Sequence, residues 1–231
     1  MRRLKQTLLT MALRRTVVVL GAASLPVGSA LACETALVLS VDVSGSIDGG
    51  EFRLQSEGIF LALSDPEVTD ALVRGQIALA VVQWSGDDQQ ALVLPWMRML
   101  TAGAVNRFAT AAGAMDRAFY GSDTAVGESL HFAAAQFASV PDCKRRVIDV
   151  SGDGQENAGF TDAEARSAAM DSGIMINAIA IEDPGPASPI TSYYRNWVIT
   201  PGGFVVTARG LEDYARTLRL KLLRELVSPV G

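Results

Sequence analysis

The sequence predicts a three-layer α/β/α domain around a mostly parallel six-stranded sheet with one antiparallel edge strand. Three observations carry that expectation. From residue 35 onward, short apolar runs rich in β-branched residues alternate with longer segments of helical spacing, the pattern of a parallel sheet covered on both faces. Hydrophobic residues make up 49% of the 231, enough for one substantial core and little more. Polar, glycine-containing turns stand at the exits of several apolar runs, the edge where open parallel sheets place their ligand sites.

Taken in order, residues 36–41 read as the first strand and 50–63 as a helix. Residues 76–84 and 91–96 read as the second and third strands, and the turn-rich Ser85-Gly86-Asp87-Asp88 between them suits a hairpin, which supplies the antiparallel edge. Helices at 102–120 and 125–139 follow, then a strand at 146–150, a helix at 162–172 and a strand at 174–181. Three prolines between residues 182 and 189 exclude regular structure there. A short helix at 191–196 and a last strand at 204–207 lead to a closing amphipathic helix at 211–227, where Leu211, Tyr214, Ala215, Leu218, Leu222 and Leu226 recur at helical spacing. No internal repeat or low-complexity tract interrupts residues 33–231, which read as one domain.

Residues 1–32 differ in kind. Arg2, Arg3, Lys5, Arg14 and Arg15 supply every charge, and an apolar run over 16–25 is too short to span a bilayer, which takes about 20 residues. With the small-x-small Ala30-Leu31-Ala32 behind it, this reads as a signal peptide cleaved after Ala32. Retained membrane anchoring, twin-arginine export through Arg14-Arg15, and acylation of Cys33 are the alternatives. Without those five basic residues, 15 of the 20 remain against 25 acidic ones, a balance near −10 that argues against nucleic acid as a partner. Later apolar stretches are strand-sized, so no membrane association is expected after cleavage, and a periplasmic or secreted location follows.

The most specific feature is the apolar run Leu37-Val38-Leu39-Ser40-Val41, which leads straight into Asp42-Val43-Ser44-Gly45-Ser46. A carboxylate and two hydroxyls at alternate positions converge if the loop curls, which Gly45 permits, and oxygen-only donors suit hard cations such as Mg²⁺, Ca²⁺ or Mn²⁺. This Asp-x-Ser-x-Ser after a buried strand resembles the metal-ion-dependent adhesion site (MIDAS) of von Willebrand factor A (vWA) domains, a Rossmann-like fold. The resemblance asks for a Thr in a Gly-flanked loop before a helix, which Gly121-Ser122-Asp123-Thr124-Ala125-Val126-Gly127 supplies. It also asks for an Asp-Gly after a later apolar strand, which Val147-Ile148-Asp149-Val150-Ser151-Gly152-Asp153-Gly154 supplies, with Gly152 where many relatives have Thr. Singly, these pieces have plainer readings: a strand-to-helix turn at Ser44 and Ser46, an N-cap at Thr124, a turn residue at Asp153. Val41-Asp42-Val43-Ser44, Val82-Gln83-Trp84-Ser85 and the run from Arg145 to Gly154 are similar to a bacterial family of uncharacterised exported vWA-like proteins.

The resemblance implies a divalent cation, Mg²⁺ first and Mn²⁺ or Ca²⁺ next, held by Asp42, Ser44, Ser46, Thr124 and Asp153 and open at one position to an Asp or Glu carboxylate of a partner protein. It also implies that the strands beginning just after Cys33 and near residue 146 are parallel neighbours. Both cysteines then sit at the amino-terminal sheet edge, away from the metal, and a Cys33–Cys143 disulfide is expected.

The implied role is a metal-dependent protein-binding module, not an enzyme; a metal-dependent phosphoester or ester hydrolase and a scaffold with a loop-stabilising metal are the alternatives. His131, the single histidine, falls on a helix where packing explains it, and His-based metal centres are excluded. Ser151 lacks the leading glycine of a nucleophile elbow, since Asp149 stands there. Asp42-x-Ser44 is also similar to the haloacid dehalogenase phosphatases, but Ser44 cannot perform the proton transfer of their second Asp. Asp149, a carboxylate within an apolar strand, is left between a hydrogen bond to a neighbouring loop and support behind the metal ligands. Trp84, Trp96 and Trp197 read as core or loop anchors, and exposure near the metal face is the alternative weighed for Tyr193 and Tyr194 beside Arg195.

Overall fold

The computed structural model describes residues 33–121, 123–183, 185 and 188–227; the leader expected at 1–32 lies outside the described residues. Six strands, β1 (Thr35–Asp42), β2 (Ala78–Trp84), β3 (Gln90–Arg98), β4 (Arg145–Gly152), β5 (Ile174–Glu182) and β6 (Val205–Arg209), form one sheet in the order β3-β2-β1-β4-β5-β6. Every neighbouring pair is parallel except the β2–β3 hairpin at the edge, where Pro95, which has no N–H to donate, is tolerated. This is the expected architecture, with β1 and β4 at the centre.

Both faces of the central strands are covered, so all eight residues of β1 are buried. Leu37, Leu39 and Val41 face one core with α1 (Gly49–Ser64), α3 (Ala102–Gly113) and α7 (Tyr214–Val227). Ala36 and Val38 face the other with α4 (Val126–Gln136) and α5 (Asp162–Asp171). A one-residue slip of β1 would carry Asp42 into the core formed with α1, α3 and α7 and exchange Leu37, Leu39 and Val41 with the smaller Ala36 and Val38 between two cores, leaving both mispacked. Register therefore fixes which residue emerges at the carboxyl edge.

Several expectations are corrected. The helix expected at 50–63 is followed by an unforeseen α2 (Pro66–Arg74), started by Pro66 in its first turn and by Asp65, whose carboxylate accepts from the N–H groups of Glu67 and Val68. The helix expected at 102–120 stops at Gly113. Beyond it the buried amide of Gln83 pins the chain to β2, donating to Asp116 O at 3.1 Å and accepting from Ala118 N at 2.7 Å. Residues 76–77 do not belong to the second strand, because Gln76 takes a φ of +46°. The prolines at 182–189 do not all lie in irregular chain, since Pro189 opens the short α6 (Pro189–Tyr193). Trp84 is fully buried and Trp96 ties β3 to the end of α4 by donating to Gln136 O, but Trp197 is 56% exposed.

Asp149 has neither of the roles considered for it. It forms an ion pair with Lys221 of α7, Nζ to Oδ1 2.6 Å, with both side chains wholly buried. Lys221 also donates to Glu225 Oε1 at 2.5 Å, and Asn177 of β5 donates to the same oxygen at 2.7 Å.

Candidate functional site

The carboxyl edge of the sheet brings the five expected residues together. Asp42 ends β1, and its Oδ1 accepts the Ser44 N–H at 2.8 Å, which curls the chain back on itself. Ile47 N donates to Ser44 O at 3.0 Å and the Ile47 side chain is fully buried, so the loop is closed and anchored. Asp48 then caps α1 in a capping box with Glu51, so the strand-to-helix passage is specified by local sequence.

Side-chain oxygens of the three loops form a continuous chain. Asp153 Oδ1 accepts from Ser46 Oγ at 2.6 Å, Ser46 Oγ lies 3.3 Å from Ser44 Oγ, and Thr124 Oγ1 donates to Ser44 Oγ at 3.3 Å. Asp42, Ser44 and Thr124 are buried, Asp153 is half-buried and Ser46 is exposed, so the cluster opens to solvent on one side. Asp42 Oδ2 is buried with no hydrogen-bond partner among the described residues. Burial first, then the neighbouring Asp153 charge, pushes the Asp42 carboxyl up to about 7; the Ser44 contacts and Arg117 oppose the shift. Burial likewise raises Asp153, against the hydrogen bond from Ser46. Two carboxylates held close in a poorly hydrated site repel, and a cation between them relieves both costs.

Donor chemistry fits such a cation. No three His, Cys, Asp or Glu side chains converge anywhere among the described residues. The cluster is instead two carboxylates and three hydroxyls, an all-oxygen set suited to a hard divalent ion.

Supporting residues surround it that sequence reasoning missed. Arg117 donates to Val43 O at 2.8 Å and Ser44 O at 2.9 Å, while the buried Gln55 amide donates to Asp42 O at 3.2 Å. Thr124 and Asn157 exchange hydrogen bonds, Thr124 N to Asn157 Oδ1 at 2.8 Å and Asn157 N to Thr124 O at 3.0 Å. The Glu156 carboxylate accepts from Gly127 N and Asp162 N, tying together the starts of α4 and α5. A Cβ on Gly127 would come within 2.4 Å of the Thr161 backbone, so glycine is required for that approach. Glu156 and Asn157 follow Asp153-Gly154 closely enough to have been noticed; Arg117 and Gln55 act from elements remote in sequence and left no local signal.

The other residues weighed beforehand fall outside the cluster or behind it. Ser151 is buried on the opposite face of β4, 3.2 Å from the Tyr214 hydroxyl, and His131 is half-buried on α4. Tyr194 lies near the site but is fully buried, and Tyr193 donates to Asp162 Oδ2 at 2.8 Å. Tyr120, 82% exposed, lies over the Arg117 guanidinium at 5.0 Å. Beside Asp153 opens a cleft of about 520 Å³ whose rim includes Glu51, Glu182 and Asp183.

Similar folds occur among solved structures. Proximal thread matrix protein 1 from the mussel byssus, solved with a zinc-occupied MIDAS motif, superposes with a TM-score of 0.63 at 18% identity over 85% of this chain and 48% of that one. The pilus adhesin SpaC from Lactobacillus rhamnosus GG, in an open conformation, gives 0.63 at 12% identity over 84% and 30%. A von Willebrand factor type A protein from Catenulispora acidiphila gives 0.58 at 18% identity over 84% and 43%. The chain thus spans less than half the length of each, and the likeness establishes the vWA fold. No curated protein matches the chain. Residues 32–230 match the family model described as protein of unknown function DUF1194, and with nearly the whole chain so covered, this protein belongs to the DUF1194 family and carries a vWA-type fold.

Proposed function

We propose that this domain is an exported protein-binding module in which a divalent cation, held by Asp42, Ser44, Ser46, Thr124 and Asp153, receives an Asp or Glu carboxylate from a partner protein. The observation that carries the reading is the hydrogen-bonded set of oxygens from three loops, Asp153, Ser46, Ser44 and Thr124, beside the buried Asp42 carboxylate. Mg²⁺ is the first candidate, with Mn²⁺ and Ca²⁺ next. Bound there, the ion supplies the positive charge that an otherwise acidic rim lacks, so a carboxylate is attracted only when it is present.

This chain's own residues do the rest. Ser44 N–H and the Gln55 and Arg117 side chains fix the first loop, and the Asn157 exchange fixes Thr124, so the donors are placed before any ligand arrives. Exposed Tyr120 offers a partner aromatic contact close to the first loop. Binding of this kind requires no proton-transfer group, and Ser151, the residue most like a nucleophile, is turned away from the cluster. The zinc-bearing MIDAS of the mussel protein and the adhesin role of SpaC favour the same reading. Export is supported by the basic-then-apolar leader pattern and by the disulfide; among the described residues no helix is long and apolar enough to cross a membrane.

Calorimetric titration of Mg²⁺, Mn²⁺ and Ca²⁺ into the protein and its Asp42→Ala variant tests the premise. Wild type binds at least one ion and the variant binds none, and immobilised wild type then retains a partner that EDTA releases. Absence of binding by all three ions, or equal binding by the variant, removes the reading. Turnover of a phosphoester or ester would favour a hydrolase, and cation-dependent stability without partner capture would favour a scaffold.

A further inference from the structure

Two buried polar atoms at the back of the cluster have no hydrogen-bond partner among the described residues, Asp42 Oδ2 and Tyr194 Oη. They border the same small space. A Cβ built on Gly152 would lie 2.4 Å from Tyr194 Oη and 2.9 Å from Asp42 Oδ2, so both oxygens border the space that a side chain at residue 152 would fill. The two oxygens are thereby within reach of each other directly or through one water.

Tyr194 arrives from a fourth segment, the π-turn Tyr194–Val198 that follows α6, and it is 0% exposed. Its ring packs edge-on against Tyr193 at 5.4 Å between centroids, and Tyr193 is itself tied to Asp162, so the phenol is held from behind. A buried hydroxyl beside a buried carboxylate, each otherwise unmet, is costly unless they serve one another or a shared ligand.

We propose that Tyr194 is a positioning residue of the cation site: its phenol donates to Asp42 Oδ2, directly or through one water, and Gly152 keeps the space open for it. The proposal rests on the cation reading above. Asp42 is then gripped at both oxygens, Oδ1 by the Ser44 N–H and Oδ2 by the phenol. Burial and the nearby Asp42 charge raise the Tyr194 pKa well above the ordinary tyrosine value, so the phenol stays a neutral donor.

Tyr194→Phe keeps the ring and removes only the donor. Without the cation it leaves Asp42 Oδ2 unmet, so the melting temperature is expected to fall by a few degrees, while its Mg²⁺ or Mn²⁺ Kd, measured by calorimetry on the full chain, weakens about tenfold. Installing 4-aminophenylalanine at position 194 returns an N–H donor to the same place and is expected to restore the affinity. A Phe variant that binds as tightly as wild type overturns the proposal, as does a loss of affinity that the amino donor fails to restore. Wild type and Asp42→Ala run beside it separate the two levels: no binding by wild type removes the cation reading itself, whereas wild-type binding with no effect of the phenol removes only the role of Tyr194.

Discussion

At Asp42 burial and a neighbouring charge act in the same direction. Its ordinary carboxyl value of 3.8 rises to about 7 in the cation-free fold, first through burial and then through repulsion by Asp153. Because the folded value is the higher one, the native state binds the extra proton between those limits, and this group's contribution falls as pH rises from about 4 to 7. A bound cation takes the place of that proton, so the sign changes: with the ion present, the ionised form is the stabilised one. In EDTA, Asp42→Asn is therefore expected to gain on wild type with rising pH, by up to about 4 kcal/mol at pH 7, and to lose the advantage in saturating Mg²⁺. Urea midpoints of both proteins at pH 4.5 and 7, with and without Mg²⁺, check this. Parallel behaviour of the two proteins in EDTA would mean that Asp42 ionises freely in the fold and that no proton need be displaced by an ion.

At the scale of elements, α7 does more than cover the sheet. Leu218 and Leu222 were legible as its apolar stripe, but the burial of Lys221 and Glu225 on the same helix left no mark in the sequence because their partners lie on β4 and β5. Burial raises the Asp149 carboxyl, Lys221 pulls it back, and Glu225 pushes it up again, so one cation is shared by two buried carboxylates. Removing the cation leaves them without compensation. Lys221→Met is expected to cost about 3–5 kcal/mol, and adding Asp149→Asn to recover part of the loss, measured by urea unfolding. A single variant within about 1 kcal/mol of wild type, the scale of an ordinary surface change, would show that the pair carries no such strain. Other elements were misjudged for physical reasons of the same kind. The break between α1 and α2 was present in the sequence as Asp65-Pro66 and was overlooked, whereas the early end of α3 depends on Gln83 reaching across from β2, a contact that helical periodicity cannot report.

Across the whole molecule the two sheet edges divide the work. Parallel strands leave their loops at opposite ends, so the motif loops of β1 and β4 emerge together on one rim, and the five clustered residues were legible before any coordinates because the resemblance to vWA domains pointed to Thr124 and Asp153 beside the Asp-x-Ser-x-Ser turn. Arg117, Gln55 and Tyr194 were not, since each reaches the rim from an element whose own sequence carries no mark of the contact. At the other rim Cys33 and Cys143 are joined, just ahead of β1 and β4, where Lys144 N donates to Cys33 O and Arg145 N to Glu34 O. The bond closes a loop with a sequence separation of 110, so its removal in the Cys33→Ser/Cys143→Ser double variant is expected to cost about 3–5 kcal/mol. For a domain of this size that lowers the melting temperature by about 10 °C. The eight residues of β1 put the length of a strand, roughly 25 Å, between the disulfide and Asp42, so cation affinity should stay at the wild-type value while stability falls. Calorimetric titration and a thermal melt on the same samples decide the point: a melting temperature that does not move would deny the bond its constraint on the unfolded chain, and a Kd that weakens in step with the melt would show that the two rims are coupled through the central strands.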